Sequence, residues 1–175
     1  MITNLDHLFD YVLDSSNGLN RAVNMGQNRG RGLEVEFQAR RASGWEARAS
    51  YGLADTLDQL NQRRLENSPL RQGKLNATIP LARRAFAGLE LQYISAQTSY
   101  QGTRVSPAFL TNLTLSTRPF WGGWELSASG YNMFDRRWFT PAGLNSTESA
   151  IQQDGRTFRF QLSYRFPPAE KRSRP

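Results

Sequence analysis

Apolar and polar residues alternate one by one along much of the chain, most clearly near its C-terminal end. Phe158, Phe160, Leu162, Tyr164 and Phe166 occupy every second position, with polar residues between them. Successive side chains of a β-strand point to opposite faces, so a period of two predicts a strand with one apolar and one polar face. Strict alternation over this length has no helical explanation.

The same alternation recurs upstream and predicts further strands. These cover residues 33–40, 45–51, 74–81, 87–93, 109–116 and 124–129, with an eighth, weaker candidate over Leu5 to Leu13. A tight turn at Ser43-Gly44 joins the first two as a hairpin. The pattern predicts an all-β, antiparallel meander of about eight strands.

The links between the predicted strands alternate in length. Short links lie at about 43–44, 82–86 and 119–123, and long polar links at about 14–20, 59–70, 99–108 and 135–155. Outer-membrane β-barrels have short periplasmic turns and longer extracellular loops. Several predicted strands have roughly 9 to 11 residues or more, enough to cross a bilayer at a tilt. We therefore expect transmembrane strands with both chain ends on the periplasmic side.

The two predicted faces differ chemically. The polar face carries Glu34, Glu36, Arg40, Glu46, Arg48, Lys74, Glu90, Arg159 and Arg165. The apolar face carries interfacial aromatic residues, namely Trp45, Tyr51, Tyr93, Trp124 and Tyr164. Such charges are unfavourable in a packed core but harmless beside water in a lumen. Aromatic side chains with polar tips are favoured where a membrane meets water.

Composition alone does not separate a soluble protein from a membrane barrel. Only 38% of the residues are hydrophobic and the mean hydropathy is −0.61. No apolar run is longer than three residues, which excludes a transmembrane helix. A barrel strand needs only alternate apolar residues, so its mean hydropathy resembles that of a soluble chain.

The formal charge of +7 suggests a nucleic-acid partner, because clustered cations bind phosphate. The 20 arginines and 2 lysines are instead scattered along the chain, and only 171–174 forms a basic cluster. We expect no nucleic-acid partner.

Residues for catalysis or metal binding are scarce. The chain has no cysteine and one histidine, His7. It therefore lacks the ligands of a typical zinc site and the residues expected for Ser/His/Asp catalysis. Glu34 and Glu36 form a carboxylate pair, which a solvated lumen wall explains better than acid–base work. We expect no enzyme activity, no metal and no cofactor.

Four segments carry a family resemblance. They are Asn132-Met133-Phe134-Asp135 followed by Arg136-Arg137-Trp138, the strand Gly32-Leu33-Glu34-Val35-Glu36, the stretch Asn67-Ser68-Pro69, and the closing segment from Gly155 to Phe166. Together they resemble the C-terminal β-barrel region of TonB-dependent outer-membrane receptors. Met133 stands where the family usually has leucine.

The resemblance implies a bacterial outer-membrane receptor that imports a scarce solute, such as an iron-siderophore complex or cobalamin. Its implied partners are outer-membrane lipid, the TonB system acting through a plug domain, and the barrel-assembly machinery, which would read Phe158, Phe160, Leu162, Tyr164 and Phe166. Arg136, Arg137, Trp138 and Phe139 are candidate ligand-binding residues on an extracellular loop. Anchoring the base of that loop explains these four residues equally well.

The resemblance covers residues 1–166, and residues 167–175 are expected to be a disordered basic tail. Complete receptors have about 22 strands around a plug. Neither a plug, a TonB box nor a signal peptide is recognisable, so the chain is expected to be a fragment. The alternative is a stand-alone eight-stranded barrel with a structural, adhesive or small-ligand-binding role.

Overall fold

The computed structural model describes residues 2–5, 9–13, 19–24, 28–59, 62–143 and 145–166, and the regular elements in these ranges are all β-strands. In chain order they are β1 (Ile2–Leu5), β2 (Phe9–Leu13), β3 (Asn20–Asn24), β4 (Asn28–Arg40), β5 (Glu46–Asp58), β6 (Arg63–Arg64), β7 (Arg71–Ala82), β8 (Ala85–Ile94), β9 (Gln97–Thr98), β10 (Arg104–Val105), β11 (Ala108–Thr117), β12 (Trp124–Tyr131), β13 (Phe139–Pro141), β14 (Ala150–Gln152) and β15 (Thr157–Tyr164). Within those ranges no helix is long and apolar enough to cross a membrane. The predicted all-β class is confirmed.

Eight strands follow one another in a single antiparallel sheet, in the order β1-β4-β5-β7-β8-β11-β12-β15, and β6 pairs beside β5. The predicted meander is therefore confirmed. β1 and β15 lie at the two ends of this order, and the described residues form no ladder between them. The described strands thus form an open sheet.

The described residues of the eighth predicted strand, Leu5 to Leu13, are Leu5 at the end of β1 and the whole of β2. β1 pairs with β4, and β2 pairs with β3. Leu5 lies opposite Asn28 and Phe9 lies opposite Asn24, so both ladders keep the same register. His7 and most of the link at 14–20 fall outside the described residues.

β4 and β5 are longer than predicted, with 13 residues each. Their ladder runs unbroken from Arg40 opposite Glu46 to Asn28 opposite Asp58. The added residues, 28–32 and 52–58, do not alternate between apolar and polar, so the pattern could not reveal them. The sheet extends past the apolar band at the end that carries the long links.

The short links are tight turns, as predicted. At the first, the Arg41 N–H donates to the Trp45 carbonyl at 2.9 Å, and Gly44 has a φ of 92°. This left-handed conformation favours glycine, which has no Cβ to clash. Only residues 83–84 separate β7 from β8.

Three long links contain small β-elements of their own. β6 folds back onto β5, β9 pairs with β10, and β13 pairs with β14. The long links are therefore folded structures at one end of the sheet.

Apolar side chains of one face are exposed instead of converging on a core. Phe37 is 63% exposed and Phe160 is 81% exposed. The buried apolar residues of the described part are Val105, Ala108, Leu110 and Ala142, all at the long-link end. An apolar face of this extent is stable only in apolar surroundings, as in a lipid bilayer.

Aromatic residues lie at both ends of the apolar face. Tyr51 and Tyr93 flank Gly73 in one ladder row near the long links. At the other end the rings of Trp124 and Tyr164 are 4.9 Å apart. Trp45 lies six positions before Tyr51, which is about 20 Å along a strand and close to the roughly 25 Å band of outer-membrane barrels.

β15 ends at Tyr164, so the prediction that the closing strand reaches Phe166 is wrong by two residues. Pairing ends with the Arg165 N–H, which donates to the Gly123 carbonyl at 2.8 Å. The Phe166 ring instead contacts the Tyr164 ring edge-on at 4.8 Å. The predicted tail at 167–175 falls outside the described residues.

Candidate functional site

The polar face is a continuous surface, because ladder partners place their side chains side by side. One row crosses four strands through Glu36, Ser50, Lys74 and Gln92. The charged residues predicted for this face share it. The alternation thus assigned the two faces correctly.

Ion pairs neutralise part of this surface. Arg48 Nε lies 2.9 Å from Glu36 Oε1, and Arg165 Nη2 lies 3.0 Å from Glu125 Oε1. These side chains are 30% to 74% exposed, so each pair contributes on the order of 1 kcal/mol or less. The polar face is therefore a solvated wall and not a packed core.

A cleft of about 830 Å³ opens on the polar face where β4, β5 and β7 approach the long links. Its lining includes Glu34, Ser50, Ser68, Gln72 and Lys74. We call it the polar-face cleft. It presents an anion, a cation and neutral hydrogen-bonding groups together, so it can bind a polar solute.

Glycine creates part of this space. Gly52 lies opposite Glu34 in the ladder, and apart from its two chain neighbours no described residue has a heavy atom within 4 Å of the position its Cβ would take. Gly52 was not among the residues predicted from the sequence. It directly follows the alternating segment 45–51, and a glycine next to such a segment was the available signal, since glycine in a strand marks a bend or a close approach.

Asn132 ties together both ends of the longest link. Its N–H donates to Asn112 Oδ1 at 2.9 Å, and its Oδ1 accepts from the Arg136 N–H at 2.9 Å. Its Nδ2 donates to the carbonyls of Arg136 at 2.8 Å and Asp154 at 3.3 Å. Asn132 is 5% exposed with a φ of 47°, a conformation that asparagine adopts more readily than most residues.

The rest of the motif continues this clamp. The Asp135 N–H donates to the Asn132 carbonyl, and Asp135 Oδ1 accepts from the Arg156 N–H, both at 2.8 Å. Met133 lies over Gly130, where a Cβ would collide with its sulfur. Phe134 is 73% exposed. Asn132 and Asp135 therefore fix the loop base, and Met133 packs on the strand below.

The β13–β14 hairpin packs against the tops of β8 and β11. Trp138 and Phe139 share a cavity of about 20 Å³ with Ile94, Val105 and Ala108. Ile94 and Ala108 are ladder partners. The hairpin thus covers the end of the polar face and explains why Ala108 is only 7% exposed.

The structure divides the four candidate ligand-binding residues into two groups. Arg136 and Arg137 have exposed side chains, and Trp138 and Phe139 are half-buried in the hairpin packing. Arg137 Nε donates to Gln152 Oε1 at 3.2 Å, and its guanidinium lies 5.5 Å from the Phe139 ring centroid. Arg136 bonds to Asn132 through its backbone, which leaves its side chain toward solvent.

Contacts join the long links to one another. The Asn67 N–H donates to the Thr98 carbonyl at 2.8 Å, and Asn67 Nδ2 donates to the Ala142 carbonyl at 3.2 Å. Gln101 Nε2 donates to the Ser146 carbonyl at 3.0 Å. Because Ser68 lines the polar-face cleft, the bond from Asn67 to Ala142 places the longest link beside it.

Among residues with described positions, no group of three or more His, Cys, Asp or Glu side chains could hold a metal ion. The polar side chains are spread along the strands instead of converging on one point.

Residues 7–164 match the outer membrane protein beta-barrel family. The chain belongs to this family. It is therefore a β-barrel protein of the bacterial outer membrane, with its apolar face toward lipid and its polar face toward the lumen. Members of outer-membrane barrel and receptor families are typically transport proteins without enzyme activity.

Solved structures of outer-membrane receptors and transporters share the fold of this barrel chain. The pyoverdine outer membrane receptor FpvA from Pseudomonas aeruginosa PAO1, bound to pyoverdine, is 16% identical with a TM-score of 0.75, covering 94% of this chain and 26% of that one. The copper transporter OprC is 17% identical with a TM-score of 0.74, covering 94% and 28%. The ferric-catecholate import receptor Fiu from K12 E. coli is 15% identical with a TM-score of 0.72, covering 92% and 24%.

The chain of this barrel family thus spans about a quarter of the length of those structures. The resemblance to the C-terminal barrel of outer-membrane receptors is confirmed as a match of fold, and the family shown is the outer membrane protein beta-barrel family. No curated protein sequence matches the chain significantly.

Proposed function

We propose that the chain forms part of the barrel of a TonB-dependent receptor that imports a scarce solute, such as an iron-siderophore complex or cobalamin. The observation that supports this most is the open sheet. Its eight strands follow the barrel of much larger receptors and leave β1 and β15 without a mutual ladder among the described residues. Unpaired strand edges are unfavourable in lipid, so further strands would complete the barrel.

The polar-face cleft and the loop above it would form part of the solute path. Arg136 and Arg137 are exposed beside the hairpin that covers the end of the polar face, where they would meet an anionic solute arriving from outside. Trp138 and Phe139 would hold the hairpin in position. The TonB system would act on a plug domain outside this chain.

The closing strand would be the region that the barrel-assembly machinery reads. Phe158, Phe160, Leu162 and Tyr164 form an exposed apolar row on β15, which offers aromatic contacts along its outer side. Phe166 extends this row past the end of the strand.

Uptake by cells that carry or lack the gene tests the proposed function. Deletion should abolish uptake of one labelled solute from a panel of ferric siderophores and cobalamin, and a protonophore should abolish it equally, because TonB-driven import needs the inner-membrane gradient. Uptake that persists with the protonophore, or a deletion without effect on any solute of the panel, would contradict the proposal.

A pair of double variants in the full-length protein tests the loop arginines. R136A/R137A should weaken binding of the identified solute, whereas R83A/R84A removes the same charge from a short turn at the other end of the sheet and should not. Equal affinities of the two double variants would remove Arg136 and Arg137 from the solute site.

A further inference from the structure

A second cleft, of about 470 Å³, lies at the long-link end of the sheet. Its lining includes Arg64, Arg71, Tyr93, Arg104 and Pro107. We call it the arginine cleft. Ser68 also lines the polar-face cleft, but that cleft carries Glu34 and Lys74 and none of the three arginines.

Ladder positions place this cleft on the lipid-facing side. Gly73 lies between Tyr51 and Tyr93 on the apolar face, and a Cβ at Gly73 would contact both tyrosines at 3.5 and 3.8 Å. Arg71 lies two positions before Gly73, so its side chain points to the same face. The Ser95 N–H donates to the Arg71 carbonyl at 2.9 Å, so the pairing of these two chain segments continues past Gly73 and Tyr93 toward the long links.

Arg64 reaches the same face from β6. It lies opposite Leu57 in the ladder, and its Nε lies 3.0 Å from Asp55 Oδ1. Leu53 is the ladder partner of Arg71, and Asp55 and Leu57 lie two and four positions after Leu53 on the same strand. Alternate residues of a strand share a face, so Asp55 and Leu57 lie on the same face as Arg71. Arg64 and Arg71 are thus on one side of the sheet, and Arg104 completes the cleft from β10.

The arginine cleft is strongly basic. Of the described residues that line it, three are arginines and none is acidic. Asp55, which does not line the cleft, forms an ion pair with Arg64 and neutralises its charge. Arg71 and Arg104 still give the cleft a net positive charge. All three arginine side chains are exposed, and Ser68, Ser95 and Gln97 add hydrogen-bonding groups. Planar guanidinium groups bind phosphate oxygens through paired hydrogen bonds.

The position of the cleft along the membrane normal indicates that a phosphate bound there would belong to a lipid headgroup. Tyr51 and Tyr93 end the apolar band on the extracellular side, and such aromatic residues lie at headgroup level. The arginine cleft lies one row further out, where the headgroups of the outer leaflet are. Acyl chains of a lipid bound there could run down the apolar face below.

We propose that the arginine cleft binds the phosphate groups of an anionic lipid in the outer leaflet. Arg64, Arg71 and Arg104 pair with phosphate oxygens, and Tyr93 contacts the lipid where headgroup and acyl chains meet. Arg64, Arg71 and Tyr93 lie on the apolar face, so these contacts are made on the lipid side and not on the polar face of the sheet.

Lipid binding to the full-length protein in detergent tests this site, with a diphosphorylated glycolipid, its dephosphorylated form and inorganic phosphate as probes. The phosphorylated glycolipid should bind best, and R64S/R71S/R104S should weaken it by about a factor of 100, or about fivefold for each arginine. The matched variant R41S/R83S/R84S removes three arginines from the short turns and should change the affinity by less than about twofold.

Three outcomes would overturn the proposal. Equal losses in the two triple variants would mean nonspecific attraction, equal binding of both glycolipid forms would exclude phosphate recognition, and full competition by inorganic phosphate would indicate a site for a free anion. If the triple variant does not fold, R104E alone serves, because Arg104 lies outside the main sheet. It should weaken phosphorylated glycolipid by at least about fivefold, and an unchanged affinity would equally refute the site.

Discussion

At the scale of single residues, Asn132 shows how a short motif fixes a long loop. Its side chain bonds to residues 4 and 22 positions further along the chain, so both ends of the loop meet at one buried amide. Leucine at this position could not make these bonds. Aspartate would keep the acceptor and lose the two bonds donated by Nδ2.

Asn132→Ala in the full-length protein should lower the free energy of unfolding by roughly 2–4 kcal/mol, since three side-chain hydrogen bonds are lost and buried backbone groups lose partners. Urea unfolding in lipid vesicles measures this, and protease cleavage within 136–155 should accelerate. Asn145→Ala is the control, because Asn145 is exposed in the same loop and should cost less than about 0.5 kcal/mol. Equal stability of the two variants would mean that Asn132 does not hold the loop.

At the scale of the strand, the face that a residue occupies decides what a charge there costs. Phe37 and Gln38 are neighbours on β4, and both are exposed in the described sheet. Phe37 belongs to a row with Ala49, Leu75 and Leu91, midway along the apolar band. Gln38 lies opposite Arg48 on the polar face.

Phe37→Arg should therefore destabilise the folded barrel by roughly 2–4 kcal/mol, the cost of a basic side chain near the bilayer midplane. Gln38→Arg should cost less than about 1 kcal/mol, because that side chain meets lumen water. Folding into vesicles, followed by heat-modifiable gel mobility, measures both variants. A larger cost for Gln38→Arg than for Phe37→Arg would reverse the assignment of the two faces.

At the scale of the whole molecule, the three long links that the structure describes lie at one end of the sheet and the short turns lie at the other. Hydrogen bonds from Asn67 and Gln101 join three long links into one assembly. Barrels expose such loops to the outside of the cell and keep short turns in the periplasm. The sheet therefore has a fixed direction in the membrane.

Cysteine labelling on intact cells tests this direction, because the chain has no cysteine of its own. A membrane-impermeant maleimide should label Thr147→Cys in the longest link. Arg83→Cys, in a short turn, should react only after the outer membrane is permeabilised. Both residues are exposed, so accessibility alone would not separate them. Labelling of Arg83→Cys on intact cells would invert the orientation.

The sequence predicted the strands well where one face is apolar and the other polar, as in 33–40 and 158–164. It missed the outer parts of β4 and β5, where both faces meet water and alternation carries no information. The motif at Asn132 was recognised, but the choice between ligand binding and loop anchoring could not be made from spacing alone.

Alternation by itself determined which side chains share a face, because the two-residue period of a strand is a local property of the backbone. The lengths of the links determined, in the same local way, which strand ends lie together. Only the tertiary structure decided where the clefts lie and which loops touch, since Glu34 meets Gly52 through strand register and Asn67 meets Ala142 through loop folding. Those contacts join residues 18 and 75 positions apart in the chain, and no local pattern encodes them.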